Sequence, residues 1–414
     1  MAAARALRKV AVLIGTSLSL LPLLAQPTPV VAATTGTLFG IDIRGPAVVR
    51  IDPGTGALTP VADLSLPPDH FGPGFMDTLA SDPATHRLFL VRIVDDISSG
   101  FPTRTYELVT VDSRGGILSV SSDMGRPVTS LAFDSSTHTL FGLTGDCCPF
   151  QVVTVDPISG SLTHNADVPG DTLSFMAFSP STHSLYVDSE SFAAPPPSPP
   201  VNTLVSVSTV APYAVKSSPP LARGVNSLAF DTALGTLVGV TFFPPHFVSL
   251  APATGAETFP GSYDFGFFLE PGVALDPATH TYFKVEDVFD DVQGPIAHIA
   301  SINDQTGAGV LGGSTGTNLA ALVFETPPIT ADSIRGDVRG ALATGAIDNA
   351  GVAAALLAEL NAAAAARSRA DCATAANLYN AFINDVTAQS GNHVAATTAS
   401  QLIGEAQFLV ANCP

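Results

Sequence analysis

The residues best suited to chemistry in this 414-residue chain are carboxylates that recur shortly after short, alternating apolar runs. They are Asp42, Asp95, Asp96, Asp146, Asp188, Glu286 and Asp287. The segments between repeat units add Asp69, His70, Arg126 and Arg223. Carboxylate oxygens bind Ca²⁺ or a cationic ligand, and a metal ion held by them can activate water for hydrolysis. The competing interpretation is a solvated acidic rim that binds nothing.

Four histidines close a recurring turn sequence that begins with Asp or Ser and ends in Thr-His. They are His86, His138, His183 and His280, one in each of four repeat units. Because their recurrence follows the repeat, we predict that they stabilise the turns rather than gather at one metal ion.

Local sequence motifs of common enzymes do not occur in the chain. We find no G-x-S-x-G, H-E-x-x-H or P-loop sequence, and no regular D-x-D-x-D-G calcium loop. We therefore predict no cofactor, with Ca²⁺ as the ion that the acidic residues would suit. A catalytic site assembled from scattered side chains would leave no such motif.

The elements that must position these residues are short strands in a repeat of 45 to 52 residues. Successive units have their first turn at Asp82, Asp134, Ser179, Asp231 and Asp276. A second turn begins with Asp or Asn and ends in Gly, where hairpins need a left-handed residue. Four strands at this period predict the blade of a β-propeller.

The two ends of the repeat region complement each other. The run from Thr37 to Asp42 reads as the second strand of a unit whose first strand is missing, and the unpaired strand 318–324 follows the last full unit. We predict a mainly β protein with a six-bladed propeller over residues 34–325, closed by this split blade. A propeller of seven blades remains an alternative, because the stretch 188–226 is irregular. Two stacked sheets or an open solenoid would not explain the split unit.

Composition changes after the repeats. A linker at 326–330 contains Pro327 and Pro328, and residues 331–414 show the apolar spacing of a small bundle of about four helices. Cys372 and Cys413 lie at helix ends that antiparallel packing brings together, which favours a disulfide over free thiols. The adjacent pair Cys147 and Cys148 forms either a strained disulfide or two thiols.

The helical segment resembles the FIMAH domain, a small helical module at the C-terminal ends of secreted bacterial proteins. The resemblance rests on residues 345–352, 381–386 and 390–391, and its most specific part is the N-x-F-I-N sequence from Asn380 to Asn384. It implies an accessory or adhesion-type module and brings no catalytic residues.

Residues 1–33 have the pattern of a secretory signal peptide. Arg5, Arg8 and Lys9 precede a short apolar run, and Val31-Ala32-Ala33 supplies small residues for cleavage. We therefore predict a secreted, extracellular protein with no membrane span after removal of the leader. An uncleaved anchor is the alternative.

The charge of the chain limits its partners. Its formal net charge is −19, so we predict no binding to nucleic acid, whose phosphates it would repel. We expect a monomeric, non-catalytic binding protein for an unknown extracellular ligand or protein. The alternatives are a metal-assisted hydrolase or lactonase with an acidic site at the propeller channel mouth, and a purely structural scaffold.

Overall fold

The computed structural model describes residues 36–66, 70–96, 103–144, 150–173, 176–192, 200–241, 244–261, 272–290, 294–326 and 329–411. In residues 70–77, 289–290, 294–295 and 397 it describes the backbone alone. The described chain is mainly β, with six separate antiparallel sheets followed by four helices. The prediction of a six-bladed propeller with a helical C-terminal part is confirmed.

Each sheet forms one blade, and we number the blades along the chain. Blade 1 contains β1 (Thr37–Asp42), β2 (Ala47–Ile51), β3 (Leu58–Asp63) and β25 (Leu319–Glu325). Blade 2 contains β4 (His70–Asp82), β5 (Arg87–Asp96), β6 (Thr103–Asp112) and β7 (Ile117–Asp123). Blade 3 contains β8 (Val128–Asp134), β9 (Thr139–Thr144), β10 (Phe150–Val155) and β11 (Leu162–Val168).

The other three blades follow the same order. Blade 4 contains β12 (Thr172–Leu173), β13 (Ala177–Ser179), β14 (Ser184–Ser191), β15 (Val201–Ser208) and β16 (Val215–Pro220). Blade 5 contains β17 (Val225–Asp231), β18 (Thr236–Thr241), β19 (Phe247–Leu250) and β20 (Glu257–Thr258). Blade 6 contains β21 (Val273–Asp276), β22 (Thr281–Asp290), β23 (Gly294–Asn303) and β24 (Gly309–Ser314). The irregular stretch 188–226 thus falls mostly in one blade, and the seven-bladed alternative is wrong.

Blade 1 is the predicted split blade. Its strand order is β25-β1-β2-β3, so a strand from the far end of the repeat region completes the first sheet. β25 runs antiparallel to β1, with Leu38 opposite Phe324 and Gly40 opposite Leu322. The pairing supplies the missing first strand and leaves β1 without an open edge.

The core lies between blades rather than within them. Blade 1 packs against blade 2 through Phe39, Ile41 and Leu90, among others. On its other side it packs against blade 6, where Phe283 and Phe324 stack at 5.8 Å between ring centroids. Both faces of the split blade are therefore buried, as a closed ring requires.

The predicted turn chemistry is present in the second turns of blades 1 and 3. The Asp52 carboxylate accepts hydrogen bonds from the backbone N–H groups of Gly54 and Thr55, at 2.9 and 3.0 Å. Gly56 then adopts a φ of 73°, and Gly160 ends the equivalent turn of blade 3 at the same angle. The acid fixes the start of the turn and glycine takes the left-handed position at its end.

The helices are α1 (Ala331–Thr344), α2 (Ala350–Arg367), α3 (Cys372–Gln389) and α4 (Ala396–Ala411). Their shared core includes Ile334, Leu360, Phe382 and Leu402. Thr330, Asn349 and Asp371 cap the first three helices at their N-termini, and Gly345 ends α1 with a φ of 80°. The glycine takes the left-handed position that ends α1, and side-chain caps satisfy the first N–H groups of the other end.

One helix, α2, is long and apolar enough to cross a membrane by length and composition alone. α2 has 18 residues and a mean hydropathy of 1.2, which meets a length and composition test for a span. Its hydropathy comes largely from alanine, and Leu356, Leu360 and Ala363 are buried in the helical core. A core helix meets the same test, so α2 is explained by packing.

Of the four cysteines, only Cys372 lies in the described part of the chain. It begins α3 and is disulfide-bonded. Cys147, Cys148 and Cys413 lie outside the described residues, so the pairing of Cys372 with Cys413 and the state of the adjacent pair stay predictions.

Candidate functional site

The four repeated histidines have the backbone conformation of turn residues. Their φ angles are 58° at His86, 51° at His138, 46° at His183 and 53° at His280. Gly235 takes this place in the degenerate fifth unit, with a φ of 67°. Histidine is among the few residues enriched in this left-handed region, which agrees with the predicted turn role.

Four of these turns open with a buried aspartate, and in blades 5 and 6 its two oxygens have separate tasks. In blade 5, Asp231 Oδ1 accepts the backbone N–H groups of Ala233 and Leu234 at 2.6 and 3.0 Å. Its Oδ2 points instead to the next blade. In blade 6 the corresponding Asp276 uses Oδ2 within its own turn, because it accepts the Thr279 hydroxyl at 2.8 Å. In blade 5 Leu234 stands in place of that threonine, so no hydroxyl at this position binds Asp231 Oδ2.

Three of the four histidine rings reach across to the preceding blade, at an interface we call a seam. At the seam of blades 1 and 2, His86 Nδ1 lies 3.4 Å from Glu325 Oε1. At the seam of blades 3 and 4, His183 Nδ1 lies 3.7 Å from Asp134 Oδ2. At the seam of blades 5 and 6, His280 Nδ1 lies 2.7 Å from Asp231 Oδ2. The repeat in the sequence indicates that these histidines belong to turns, but it does not indicate that their rings contact the preceding blade.

The three seams differ from one another in a third residue. The backbone N–H of Ser113, Thr209 or Asp304 donates to the carbonyl of the seam histidine at 2.8, 2.8 and 2.9 Å, so the three occupy equivalent positions. Ser113 also donates its hydroxyl to Glu325 at 3.1 Å. Asp304 instead brings a second carboxylate to the seam of blades 5 and 6.

Asp231, His280 and Asp304 therefore form a compact acidic cluster, which we call the seam triad. Asp304 Oδ1 lies 3.5 Å from His280 Nδ1, and the side chains of Asp231 and Asp304 are fully buried. No hydrogen-bond donor reaches either carboxylate oxygen of Asp304. Burial and the neighbouring Asp231 raise the pKa of Asp304 to about 8. Within the described residues this is the one group of three His, Cys, Asp or Glu side chains with metal-binding spacing.

The acidic residues predicted from the sequence are mostly engaged in local structure. Asp42 accepts from the Arg44 backbone at 2.9 Å and from the Thr317 hydroxyl at 2.6 Å, which ties β1 to the segment entering blade 1. Asp95 forms a bidentate pair with Arg104 at 2.8 and 2.9 Å. Both roles are structural, since each carboxylate already has its partners.

The prediction is wrong about the position of two of the acidic residues. Asp188 and Glu286 were expected in loops on an exposed rim, but they lie inside β14 and β22 and are 2% and 5% exposed. Asp287 is also inside β22 and half-buried. The strands extend further than the apolar runs suggested, because their inward positions accept polar residues near the strand end.

The remaining predicted residues are distributed over several blades. Arg126 donates to the Gln151 side chain at 2.6 Å, and the Arg223 guanidinium lies 5.3 Å from the centre of the Phe259 ring. Asp96 ends β5. Asp69 and Asp146 lie outside the described residues, as does the side chain of His70. The described members of the set do not form a metal-binding group with one another.

Asp188 provides a prediction about pH. Its Oδ2 accepts the Val225 backbone N–H at 2.5 Å, and burial raises the pKa of its carboxyl to about 7. The unfolded chain has an ordinary pKa of about 3.9, so ionisation costs the folded state stability as pH rises towards and through 7. Asp188→Asn keeps an acceptor without the charge. We expect its melting temperature to gain on wild type by roughly 5 °C between pH 5 and pH 8 in circular dichroism.

Asp95→Asn serves as the matched control. The hydrogen bond from Arg104 lowers the pKa of Asp95, so its ionisation is complete below pH 5. Its difference from wild type should be constant between the two pH values. Equal pH dependence of Asp188→Asn and wild type would contradict the assignment.

A cleft of about 510 Å³ lies between blades 2 and 3. The segment from Ser122 to Arg126 forms one wall, and Gln151 and His164 of blade 3 face it. His164 Nε2 lies 2.9 Å from Asp167 Oδ1, and Asp123 and Arg126 give the cleft lining both signs of charge. Arg126, one of the predicted residues, lines this cleft.

No family model and no curated protein matches the chain. Among solved structures, a nidogen–laminin complex chain matches with 12% identity and a TM-score of 0.49, over 70% of this chain and 98% of that one. TolB from Acinetobacter baumannii matches with 11% identity and a TM-score of 0.42, over 70% and 66%. A putative 6-phosphogluconolactonase from Bacteroides fragilis matches with 11% identity and a TM-score of 0.43, over 72% and 99%. These proteins differ in function, and we assign none of their functions to this chain.

Proposed function

We propose that this is a secreted, non-catalytic binding protein that presents the outer strand of blade 2, β7, to another protein. The observation that carries the proposal is the exposure of three large apolar side chains on this strand. Ile117, Leu118 and Val120 are 41%, 52% and 42% exposed. β7 is the last strand of its sheet, and an apolar strand at a sheet edge is a ready site for an added strand.

The other outer strands that the structure describes differ from β7. β3 contains Pro60, and β16 contains Lys216 and ends in prolines, features that discourage strand addition. β20 has two residues, and β11 exposes the polar side chains of Thr163, His164 and Asp167. β24 exposes one large apolar side chain, Leu311. The apolar character of β7 is therefore a local feature and not a property of outer strands in this propeller.

The cleft between blades 2 and 3 extends the same surface. It begins at the last two residues of β7 and is bordered by the turn holding Ile158, which is 76% exposed. The turn is fixed to β7 because the Ser122 hydroxyl donates to the Ser159 carbonyl at 3.2 Å. An extended peptide segment would place apolar side chains on β7 and a polar end in the cleft.

Secretion is proposed from the pattern of residues 1–33, which lie outside the described part of the chain. We propose residues 331–414 as an accessory module, as the resemblance to FIMAH domains implies. The hydrolase alternative has less support, since Asp42 and Asp95 have structural partners and Asp188 is buried.

A photo-crosslinking amino acid placed at position 118 tests the proposal. We expect a discrete adduct with a protein from the producing organism, and excess wild-type protein should suppress it. Position 311 is the matched control, since Leu311 has similar exposure, 40%, on the outer strand of blade 6. The double variant Leu118→Glu, Val120→Glu should fail to compete.

Equal adducts from both positions, or none from position 118, would overturn the proposal. An adduct with a second copy of the chain would assign β7 to self-association and overturn both the heterologous partner and the expected monomer.

A further inference from the structure

The seam triad is chemically unlike the corresponding positions at the neighbouring seams. Ser113 places a hydroxyl donor beside Glu325, and Thr209 places a hydroxyl near the seam of blades 3 and 4. Asp304 places a second carboxylate where a donor stands in the equivalent pair of blades. A buried carboxylate without a donor is costly, because it has lost water and gained nothing in return.

The two carboxylates and one imidazole leave the cluster short of positive charge unless a proton sits on Asp304, whose pKa is raised, and a bound cation would take the place of that proton. Two buried carboxylates face a single imidazole, and His280 Nδ1 carries one hydrogen at most. Neither oxygen of Asp304 has a hydrogen-bond donor, and its side chain is fully buried. A divalent cation among the three side chains would neutralise both carboxylates and satisfy the unpartnered oxygens.

We propose that Asp231, His280 and Asp304 bind one divalent transition-metal ion, with Zn²⁺ as the ion that best fits the donor set. The ligand atoms would be Asp231 Oδ2, His280 Nδ1 and an oxygen of Asp304. All three offered atoms lie within 4.8 Å of one another. The ion would join blade 5 to blade 6 and act as a structural link.

The geometry suits a tetrahedral ion better than Ca²⁺. Zinc bonds of about 2.0–2.2 Å place tetrahedral ligand atoms roughly 3.3–3.6 Å apart. The distance from His280 Nδ1 to Asp304 Oδ1 is 3.5 Å, and the 2.7 Å distance to Asp231 Oδ2 must lengthen as the hydrogen bond gives way to the ion. Ca²⁺ takes six to eight oxygen ligands, whereas imidazole favours zinc and its neighbours.

The turns hold two ligands in place before any ion binds. Asp231 Oδ1 is fixed by two backbone N–H groups, which leaves Oδ2 directed at the seam. The Asp304 N–H donates to the His280 carbonyl at 2.9 Å, so the second turn of blade 6 is anchored to the first. The His280 ring is 24% exposed, which gives an ion and its water ligand a path from solvent.

The test is zinc titration of the untagged full chain after treatment with chelator. We expect calorimetry and metal analysis to show one tight site, and saturating Zn²⁺ to raise the melting temperature by roughly 5 °C. Asp304→Asn and His280→Asn should each weaken this site at least about 30-fold. His183→Asn is the matched control, because it changes the same left-handed turn position at another seam and should leave binding unchanged.

A second substitution keeps the test decisive if a variant folds poorly. Asp304→Thr places at this position the residue that blade 4 carries at Thr209, and it should fold and lose the site. The absence of saturable zinc binding in wild type overturns the proposal. So does a site that survives in the Asp304 and His280 variants, because the ion would then bind elsewhere.

Discussion

Ending the chain at Asn318, just before β25, is expected to abolish the folded propeller. β25 supplies the inner strand of blade 1, and Leu319, Leu322 and Phe324 are at most 8% exposed. Burying one such side chain contributes about 1.5–3 kcal/mol, and a whole domain is stable by only about 5–15 kcal/mol. The loss would also uncover β1 and the facing core of blade 6. We expect aggregation and no cooperative transition in calorimetry.

A chain that ends at Thr326 is the control, because it removes the helices and keeps β25. We expect it to be soluble and to unfold in one cooperative transition. If the chain ending at Asn318 melted like this control, ring closure by β25 would not be needed for stability.

The second large effect is expected at Gly307, in the second turn of blade 6. A Cβ added there would lie 1.7 Å from the Pro260 carbonyl oxygen of blade 5, and its φ is 65°. Neither backbone can move without disturbing a turn. We expect Gly307→Ala to cost more than about 3 kcal/mol, or roughly 10 °C in melting temperature.

Gly235→Ala isolates the backbone part of this effect. Gly235 has nearly the same φ, 67°, but nothing lies within 4 Å of an added Cβ. We expect a loss of about 1 kcal/mol from the left-handed conformation alone. The two blades would not approach as closely as described if both variants lost the same stability by denaturant unfolding.

The architecture was predictable because its determinants are local and repeated. Asp at the start of a turn and Gly at its end, as in Asp52 and Gly56, set each hairpin without reference to the rest of the chain. The split blade was predictable for a different reason. A strand run with no local partner, such as 318–324, has to pair with another incomplete unit.

The seam triad was not predictable, because its members meet only after the blades pack. Asp231 and Asp304 are far apart in sequence, and each fits an ordinary turn pattern in its own unit. The one local signal was the departure of the repeat at those points, with Leu234 in place of threonine and Asp304 in place of Pro, Ser or Thr. The predicted position of Asp188 was wrong for a related reason. A polar residue at a strand end predicts a loop, but an inward register buries it.

The position of β25 also affects how the protein can be made. Chains are synthesised from the N-terminus, and domains generally fold as units during synthesis. Here the sheet that contains β1 stays incomplete until residue 325 has been added, so blade 1 cannot form fully before that point of synthesis. A ribosome that stops early releases a product that cannot close. Only a product that includes β25 can close the ring and escape the proteases and chaperones that act on open sheets.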